Sequence, residues 1–243
     1  MTRSFALVTG GAHRLGRDFA LSLARMDYDI LLHFHSAEDD ARRVKAEIEA
    51  LGRQAHLLKA DLSNPEEVHS IFEQITFILR PSAFILRVLV NSAAVMSAGH
   101  PRDLTLEDWD SALNLNLRVP FLMAQAAARL MTSGGLIVNV SDIGAQKAWS
   151  RYPAYTVSKS ALESLTKVLA RAFAPSIRVN AIAPGLVYPS DAVTPEVWER
   201  LTARLPLQRP ARGEEIASAL EFLVRNEYVT GQTIVVDGGY SLV

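Results

Sequence analysis

The sequence predicts an α/β fold: a doubly wound parallel sheet of seven strands with helices on both faces. Three observations carry that expectation. Short apolar runs and longer amphipathic segments alternate along almost all of the 243 residues. A parallel sheet needs that order, because each strand requires a crossover before the next can run the same way. Most of the short runs are apolar on both faces, as in residues 29–34 (DILLHF), so helices must cover both sides of the sheet. Turn signals such as Gly10-Gly11, Gly52 and Pro184-Gly185 stand at the junctions.

Phe5 to Thr9 reads as the first buried strand, closed by Gly10-Gly11. Leu15, Phe19, Leu23 and Met26 recur at helical spacing and place a helix over 15–26. Asp29 to Phe34 is a second strand, and Ala37 to Leu51 a charged amphipathic helix stopped by Gly52. A third strand spans Gln54 to Ala60. Ser63-Asn64-Pro65-Glu66-Glu67 then combines a polar cap, an early proline and first-turn carboxylates, which together start a helix. Residues 75–89 are apolar almost throughout, with Pro81 in the middle, and should hold a helix end and a tight connection into a fourth strand, Leu86 to Val90. Thr105 and Asp108 form a capping-box-like start for a helix reaching about Leu130. Gly135 to Val140 is a fifth strand, a helix follows to about Phe173, and Ile177 to Ala183 is a sixth strand. A loop with a short helix, a helix from about Gly213 to Leu223 and a last strand, Thr233 to Val236, complete the order. With no Gly/Ser-rich linker, repeat or low-complexity segment, residues 1–243 are expected to form one domain.

Composition narrows the function classes. Twenty-five basic against 26 acidic residues leave a net charge of -1, which recruits neither nucleic acid nor an anionic membrane surface. The chain has no cysteine, which removes disulfides, thiolate nucleophiles and Cys-rich metal sites and suits a reducing compartment. No apolar run approaches the ~20 residues of a membrane helix, and the chain enters its first strand without a leader, so a cytoplasmic protein is expected.

The turn Thr9-Gly10-Gly11-Ala12-His13-Arg14-Leu15-Gly16 lies between strand and helix, where glycines let backbone N–H groups approach a pyrophosphate at the helix N-terminus. An NAD binder usually places an acidic residue at the end of the second strand for the ribose 2′-hydroxyl. Here His33-Phe34-His35-Ser36 occupies that place, with His13 and Arg14 available from the turn, so a 2′-phosphate and NADP(H) are favoured over NAD. His33 and His35 share a strand face and could also form half of a metal site, but no third ligand stands near them in sequence.

Tyr155 and Lys159 are four residues apart and share one helix face. A fixed ammonium beside a phenol favours the phenolate, so Lys159 should bring the Tyr155 hydroxyl into a usable range for proton transfer. Asp142 lies thirteen residues before the tyrosine. Its carboxyl can accept from the tyrosine or from a ring N–H and, when protonated, relay a proton; it can equally be a loop or capping aspartate.

Through the 9–16 turn, Asn91-Ser92-Ala93-Ala94, Asn116, Tyr155-x-x-x-Lys159 and Pro184-Gly185, the chain resembles the short-chain dehydrogenase/reductase family over essentially its whole length. The resemblance implies a Rossmann fold and a cofactor site drawn from Gly10, His13, Arg14, Leu15, Gly16, His35, Ser36, Asp61, Leu62, Asn91, Ser92, Ala93, Tyr155, Lys159, Pro184, Gly185 and Leu186. It further implies that Asp61 brackets the adenine, that Asn116 holds a water in a relay to Lys159, and that Lys159 binds the nicotinamide ribose. Arg14 in place of a turn glycine, Asp142 in place of serine, and the 236–242 segment (VDGGYSL) resemble the pteridine reductase branch. So do Leu32-His33-Phe34-His35 and Pro195-Glu196-Val197-Trp198. That branch reduces dihydropterins or dihydrofolate with NADPH, which casts Asp142, Tyr155, Lys159 and Asn116 as catalytic and Arg14, Met96, Asp142, Tyr155 and Trp198 as substrate-binding. Met96 stands where the branch often has a stacking Phe, and Ser36 where it commonly has Arg. Arg14 could face both the cofactor phosphate and the pterin, or the phosphate alone. No metal is expected, and residues 186–205 are expected to form a substrate lid.

Two other readings stay open. One is a carbonyl reductase of 3-oxoacyl thioesters or sugars, with Ser141 as the hydroxyl donor; the other is a non-catalytic NADP(H)-binding regulator. The Tyr155 helix is apolar on more than one face, through Val157, Ala161, Leu162, Leu165, Val168, Leu169 and Phe173. Core packing would explain that, and the family resemblance implies a homotetramer in which this helix and the 107–130 helix form a dimer face.

Overall fold

In the computed structural model, which describes residues 3–80, 84–131, 134–190 and 193–243, seven parallel strands form one sheet in the order β3-β2-β1-β4-β5-β6-β7. The strands are β1 (Arg3–Thr9), β2 (Asp29–Phe34), β3 (Ala55–Lys59), β4 (Phe84–Asn91), β5 (Gly135–Val140), β6 (Ile177–Pro184) and β7 (Thr233–Val236). The helices between them are α1 (Arg14–Arg25), α2 (Glu38–Ala50), α3 (Pro65–Ile78), α4 (Leu106–Leu113), α5 (Val119–Leu130), α6 (Pro153–Phe173), α7 (Pro195–Ala203) and α8 (Gly213–Arg225). The expected element order is observed, with ends shifted by one or two residues. Pro81 lies outside the described residues.

The two-residue period of β1 shows how one strand feeds two cores. Ala6 and Val8 face a cluster with Phe19 and Leu23 of α1, Ile48 of α2 and Leu220 of α8. Phe5 and Leu7 face the other, with Ile71 and Ile75 of α3, Met123 and Ala127 of α5 and Leu169 of α6. The sheet is therefore dry on both sides, as its unalternated strands predicted.

Local chemistry sets the helix ends. The Asn64 side chain accepts from Glu66 N–H at 3.0 Å, with Pro65 opening α3. Gly52 takes φ +79° just beyond α2, a conformation that stops a helix cheaply only when the residue is glycine. Thr105 caps α4 by accepting from Asp108 N–H at 3.0 Å.

One element departs from expectation. The single helix expected over 107–130 is divided: a π-turn, Asn114–Arg118, separates α4 from α5. Pro120 explains part of this, since it has no N–H to give the Asn116 carbonyl four residues earlier, and a wider turn is one way to absorb that loss. No described helix is long and apolar enough to cross a membrane.

The order of strands puts β1 and β4 side by side while their chains leave in opposite directions, to β2 and to β5. Ligands of open α/β sheets bind at the carboxyl ends of strands at such a point. Thr9, Asn91 and Asn139 stand in register there across β1, β4 and β5.

Candidate active site

The turn after β1 is held by side chains from β1 and β2. Thr9 Oγ1 accepts from Ser92 N–H at 2.9 Å and Ala93 N–H at 3.1 Å, drawing the 91–94 segment against the turn. Gly10 has φ +62°, and a Cβ there would lie 3.1 Å from the Ala93 Cα. Gly16 is tighter still: a Cβ would sit 2.0 Å from the Gly10 carbonyl oxygen. Arg14, where a glycine is the family habit, takes φ +52° and adopts the left-handed conformation that glycine favours. The first turn of α1 carries no acidic residue, and His13, its extended N-cap, makes no side-chain cap, so the positive end of the helix is open to an anion. That cradle fits a dinucleotide pyrophosphate.

His33 braces the same turn from β2. Its Nδ1 accepts from Gly10 N–H at 3.1 Å, which leaves Nε2 as the protonated nitrogen, donating to the Ala60 carbonyl at 3.1 Å. Burial lowers its pKa to about 4, so the ring is neutral and both nitrogens are occupied. The metal-site alternative for His33 fails on that geometry. His35 and Ser36 are exposed at the end of β2, while nearby Glu38 is turned to Arg42 at 2.6 Å and Lys59 at 3.4 Å.

Two cofactor-site expectations change form. Leu62 is buried in the second core with Leu58, Ala60 and Val68, so its side chain is committed to packing and only its backbone is left to meet a ligand. Asp61 folds back on Ser63, accepting from its N–H at 2.9 Å and its hydroxyl at 2.7 Å, which holds the carboxyl below its usual range. Asn91 belongs to a buried polar ladder. Its Nδ2 donates to Asn139 Oδ1 at 2.9 Å, Asn139 Nδ2 to Thr166 Oγ1 at 2.9 Å, and Thr166 to the Leu162 carbonyl at 2.8 Å. Asn91 Oδ1 is buried with no partner, the kind of acceptor that a ligand N–H or O–H satisfies. Beyond β6, Gly185 N–H donates to the Val236 carbonyl at 3.0 Å, and a Cβ there would come within 2.7 Å of the Asp237 backbone. Leu186 accepts from Ala211 N–H at 2.8 Å.

Tyr155, Asp142 and Lys159 converge at the ends of β5 and α6. The Tyr155 hydroxyl donates to Asp142 Oδ2 at 2.9 Å, and Lys159 Nζ lies 5.6 Å from the Tyr155 ring centre while donating to the Val140 carbonyl at 2.6 Å. Asp142 serves two purposes at once: its other oxygen caps a short 3-10 turn (Ile143–Ala145) by accepting from Gly144 N–H at 2.6 Å. The capping and the tyrosine-facing alternatives are both true, one oxygen each. Burial raises the Asp142 pKa above the ordinary carboxylate range. Burial also lowers Lys159 to about 8, with Asp142 opposing the fall. Tyr155 does not behave as the sequence suggested. Its pKa is raised well above the ordinary value, first by burial and then by the Asp142 charge and hydrogen bond. The carboxylate accepts the phenol's proton directly, whereas the ammonium is turned to a backbone carbonyl.

Asn116 also differs in detail. Its side chain is fully buried and bonded on both ends, with Nδ2 donating to the Val95 carbonyl at 2.8 Å and Ser158 Oγ at 3.0 Å, and Oδ1 accepting from Val95 N–H at 2.9 Å. The side-chain amide thus fastens the π-turn to the segment after β4 and to α6. Ser141 is turned away from the tyrosine, donating to Glu163 at 2.9 Å. Met96 is 43% exposed on the 92–100 segment, and Trp198 is half-buried on α7.

Asp18, Lys147, Trp149 and Tyr188, which sequence reasoning passed over, complete the surroundings. Arg14 donates to the Tyr188 carbonyl at 2.9 Å, and the Tyr188 hydroxyl donates to Asp18 at 2.7 Å, tying the segment after β6 to α1. On the other side Trp149 stacks near Tyr240, ring centres 6.3 Å apart, and Lys147 binds the Tyr240 carbonyl at 2.7 Å. Lone aromatic and basic residues in loops carried no spacing that could have marked them.

The sequence model of the family described as Enoyl-(Acyl carrier protein) reductase matches residues 10–241. The solved FolM alternative dihydrofolate reductase 1 of Brucella suis, in complex with NADP, is 33% identical with a TM-score of 0.91, over 98% of this chain and 95% of that one. The 3-oxoacyl-(acyl-carrier-protein) reductase FabG of Staphylococcus aureus is 32% identical over 98% of each chain. The NAD-dependent glycerol dehydrogenase of Listeria innocua is 33% identical, over 100% of this chain and 95% of the relative. The glycine cradle at the β1–β4 crevice, the Tyr155–Lys159 pair at its edge and likeness along the whole chain agree: the protein belongs to the short-chain dehydrogenase/reductase family of NAD(P)-dependent oxidoreductases.

Proposed function

We propose that this protein is a cytoplasmic, NADPH-dependent reductase of a flat nitrogen heterocycle, a dihydropterin or dihydrofolate-like compound. The observation that carries the reading is the Tyr155 hydroxyl on Asp142 Oδ2 at 2.9 Å, with Ser141 turned to Glu163. A carbonyl reductase uses a neutral hydroxyl donor beside the tyrosine; here that place is taken by a carboxyl group, which suits a substrate presenting ring N–H groups and needing a proton. Similarity to the Brucella suis FolM dihydrofolate reductase supports it.

When bound, the dinucleotide supplies the hydride. Tyr155 donates the proton from its hydroxyl, and Asp142, whose pKa burial raises above the ordinary carboxylate range, orients that hydroxyl. Lys159 would bond the nicotinamide ribose, and Asn116 keeps α6 and the π-turn in position. Gly10, Leu15 and Gly16 would cradle the pyrophosphate at the N-terminus of α1, and Ser92, Ala93, Pro184, Gly185 and the Leu62 backbone would flank the cofactor. The preference for NADPH rests on His35 and Ser36 at the end of β2 and on Glu38 being engaged by Arg42 and Lys59. Met96 and Trp198 would cover the ring face. Residues 1–243 act as one domain, with 186–205 as the lid; Arg14 and Asp18 fasten that segment through Tyr188.

NADPH oxidation with dihydrobiopterin, dihydrofolate and acetoacetyl thioester decides the matter, with NADH as a parallel arm. Turnover of the thioester alone sinks the heterocycle reading in favour of the carbonyl reductase, for which the likeness to FabG at 32% identity speaks. For assembly, Phe121 and Val168 leave apolar surface exposed on the α5 and α6 faces (39% and 62%), consistent with a homotetramer; a monomer in light scattering at micromolar concentration counts against it.

A further inference from the structure

We infer that Lys147 is a positioning residue: it clamps residues 240–243 against the loop after β5, so that Tyr240 and Trp149 form a fixed aromatic corner beside Asp142. The inference rests on the reductase reading of the site.

Lys147 spends its donors on backbone. Its Nζ donates to the Tyr240 carbonyl at 2.7 Å and to the Val243 carbonyl oxygen, and it sits 4.7 Å from the centre of the Tyr240 ring. A lysine that binds two carbonyls and one ring face holds a short 3-10 turn (Tyr240–Leu242) at both ends. Asp237 secures the same turn from the strand side, accepting from Gly239 N–H at 2.9 Å and Ser241 N–H at 2.7 Å.

The corner so formed reaches the reacting groups. The Tyr240 and Trp149 rings meet at 44°, with centres 6.3 Å apart. Trp149 lies on Gly144, where a Cβ would come within 2.8 Å of the indole and 3.0 Å of Asp142 Oδ1. Gly144 N–H is the donor to that same oxygen. A line of contact thus runs from Lys147 through Tyr240, Trp149 and Gly144 to Asp142 and Tyr155. Tyr240 is close enough to Asp142 to feel its charge, which helps burial hold the phenol above its usual range against the pull of Arg204. A rigid aromatic corner rewards a flat conjugated ring over a flexible aliphatic chain, because a stacked or edge-on aromatic pair adds attraction beyond burial alone.

The test is Lys147→Met, which keeps the side-chain length and removes the donors, with Lys147→Arg as the conservative partner. The expected result is a KM for the ring substrate raised about twofold to tenfold, the amount one aromatic pairing is worth. The kcat should change little, NADPH affinity should hold, and most of the KM should return in Lys147→Arg. A second readout is independent of substrate. In a protein carrying Trp109→Phe and Trp198→Phe, Trp149 is the only tryptophan left of three, and its quenching by acrylamide should rise with Lys147→Met and not with Lys147→Arg. Unchanged quenching overturns the clamp. Increased quenching with an unchanged KM overturns the link to substrate selection. Should the enzyme turn over only thioesters, the heterocycle reading falls while the quenching still decides the clamp.

Discussion

Replacing Asp142 by asparagine isolates the interaction that distinguishes this site. The carboxamide keeps the shape, and its oxygen can still accept from Gly144 N–H, now at 2.6 Å, so the 3-10 turn should survive. What is lost is the acceptor for the Tyr155 hydroxyl at 2.9 Å. The amide N–H₂ would instead point a donor at the phenol oxygen. A hydrogen bond to a charged group contributes about 1.5–3 kcal/mol, so kcat/KM should fall roughly tenfold to 150-fold. The pH profile carries the sharper signature. Lys159 sits at about 8, pushed down by burial and held up by Asp142. Without the carboxylate only burial remains, so the ammonium loses its proton at lower pH and the alkaline limb of activity moves below about 8. Tyr155 loses two of the causes that raise it and moves in the same direction. The assay is the pH dependence of kcat/KM for NADPH oxidation in both proteins, with thermal melts to confirm the fold. An alkaline limb that stays in place or moves upward refutes the coupling.

Three further outcomes are expected. Tyr155→Phe should lower kcat/KM by about 10²- to 10⁴-fold while NADPH binding, followed by fluorescence, stays within about threefold; intact turnover would favour the non-catalytic regulator. Gly16→Ala should weaken the dinucleotide by about fivefold to 150-fold, because its Cβ would meet the Gly10 carbonyl oxygen at 2.0 Å and overpacking of this kind costs about 1–3 kcal/mol; wild-type affinity in calorimetry would show that the turn can accommodate the methyl group. His33 has a folded pKa of about 4, below its unfolded value of about 6.5. The unfolded chain therefore binds the extra proton, and the stability His33 confers is present above pH 6.5 and lost as pH falls towards 4. That loss is about 3 kcal/mol, and His33→Asn should remove it from urea melts compared at pH 7 and pH 4.5; identical pH slopes for the two proteins would contradict the buried neutral ring.

The legible part of the site was the part written in local spacing. The 9–16 turn announced itself because glycines between a strand and a helix serve few other purposes, and the close approaches at Gly10 and Gly16 show how tight that turn is. Tyr155 and Lys159 were readable because four residues make one helical turn. Asp142 was readable by offset, although its double duty as cap and acceptor was not. The division at Asn114–Arg118 was hidden because a helical hydrophobic pattern continues through it, and only Pro120 hinted at the break.

The sequence by itself determined the order of elements, the two-sided burial of the sheet and the position of the nucleotide turn, since each depends on residues near one another in the chain. The tertiary structure alone decided where charges and protons go. Tyr155 is raised rather than lowered because it is buried and because Asp142, from the end of β5, accepts its hydroxyl while Lys159 is turned to the Val140 carbonyl. Asn116 is sealed by Val95 and Ser158, and His33 is held neutral by burial between Gly10 and Ala60. Lys147 and Tyr240 stand 93 residues apart in sequence and meet only in the fold. Local pattern specifies backbone; burial and partner distance, which set every pKa here, depend on which segments the sheet brings together.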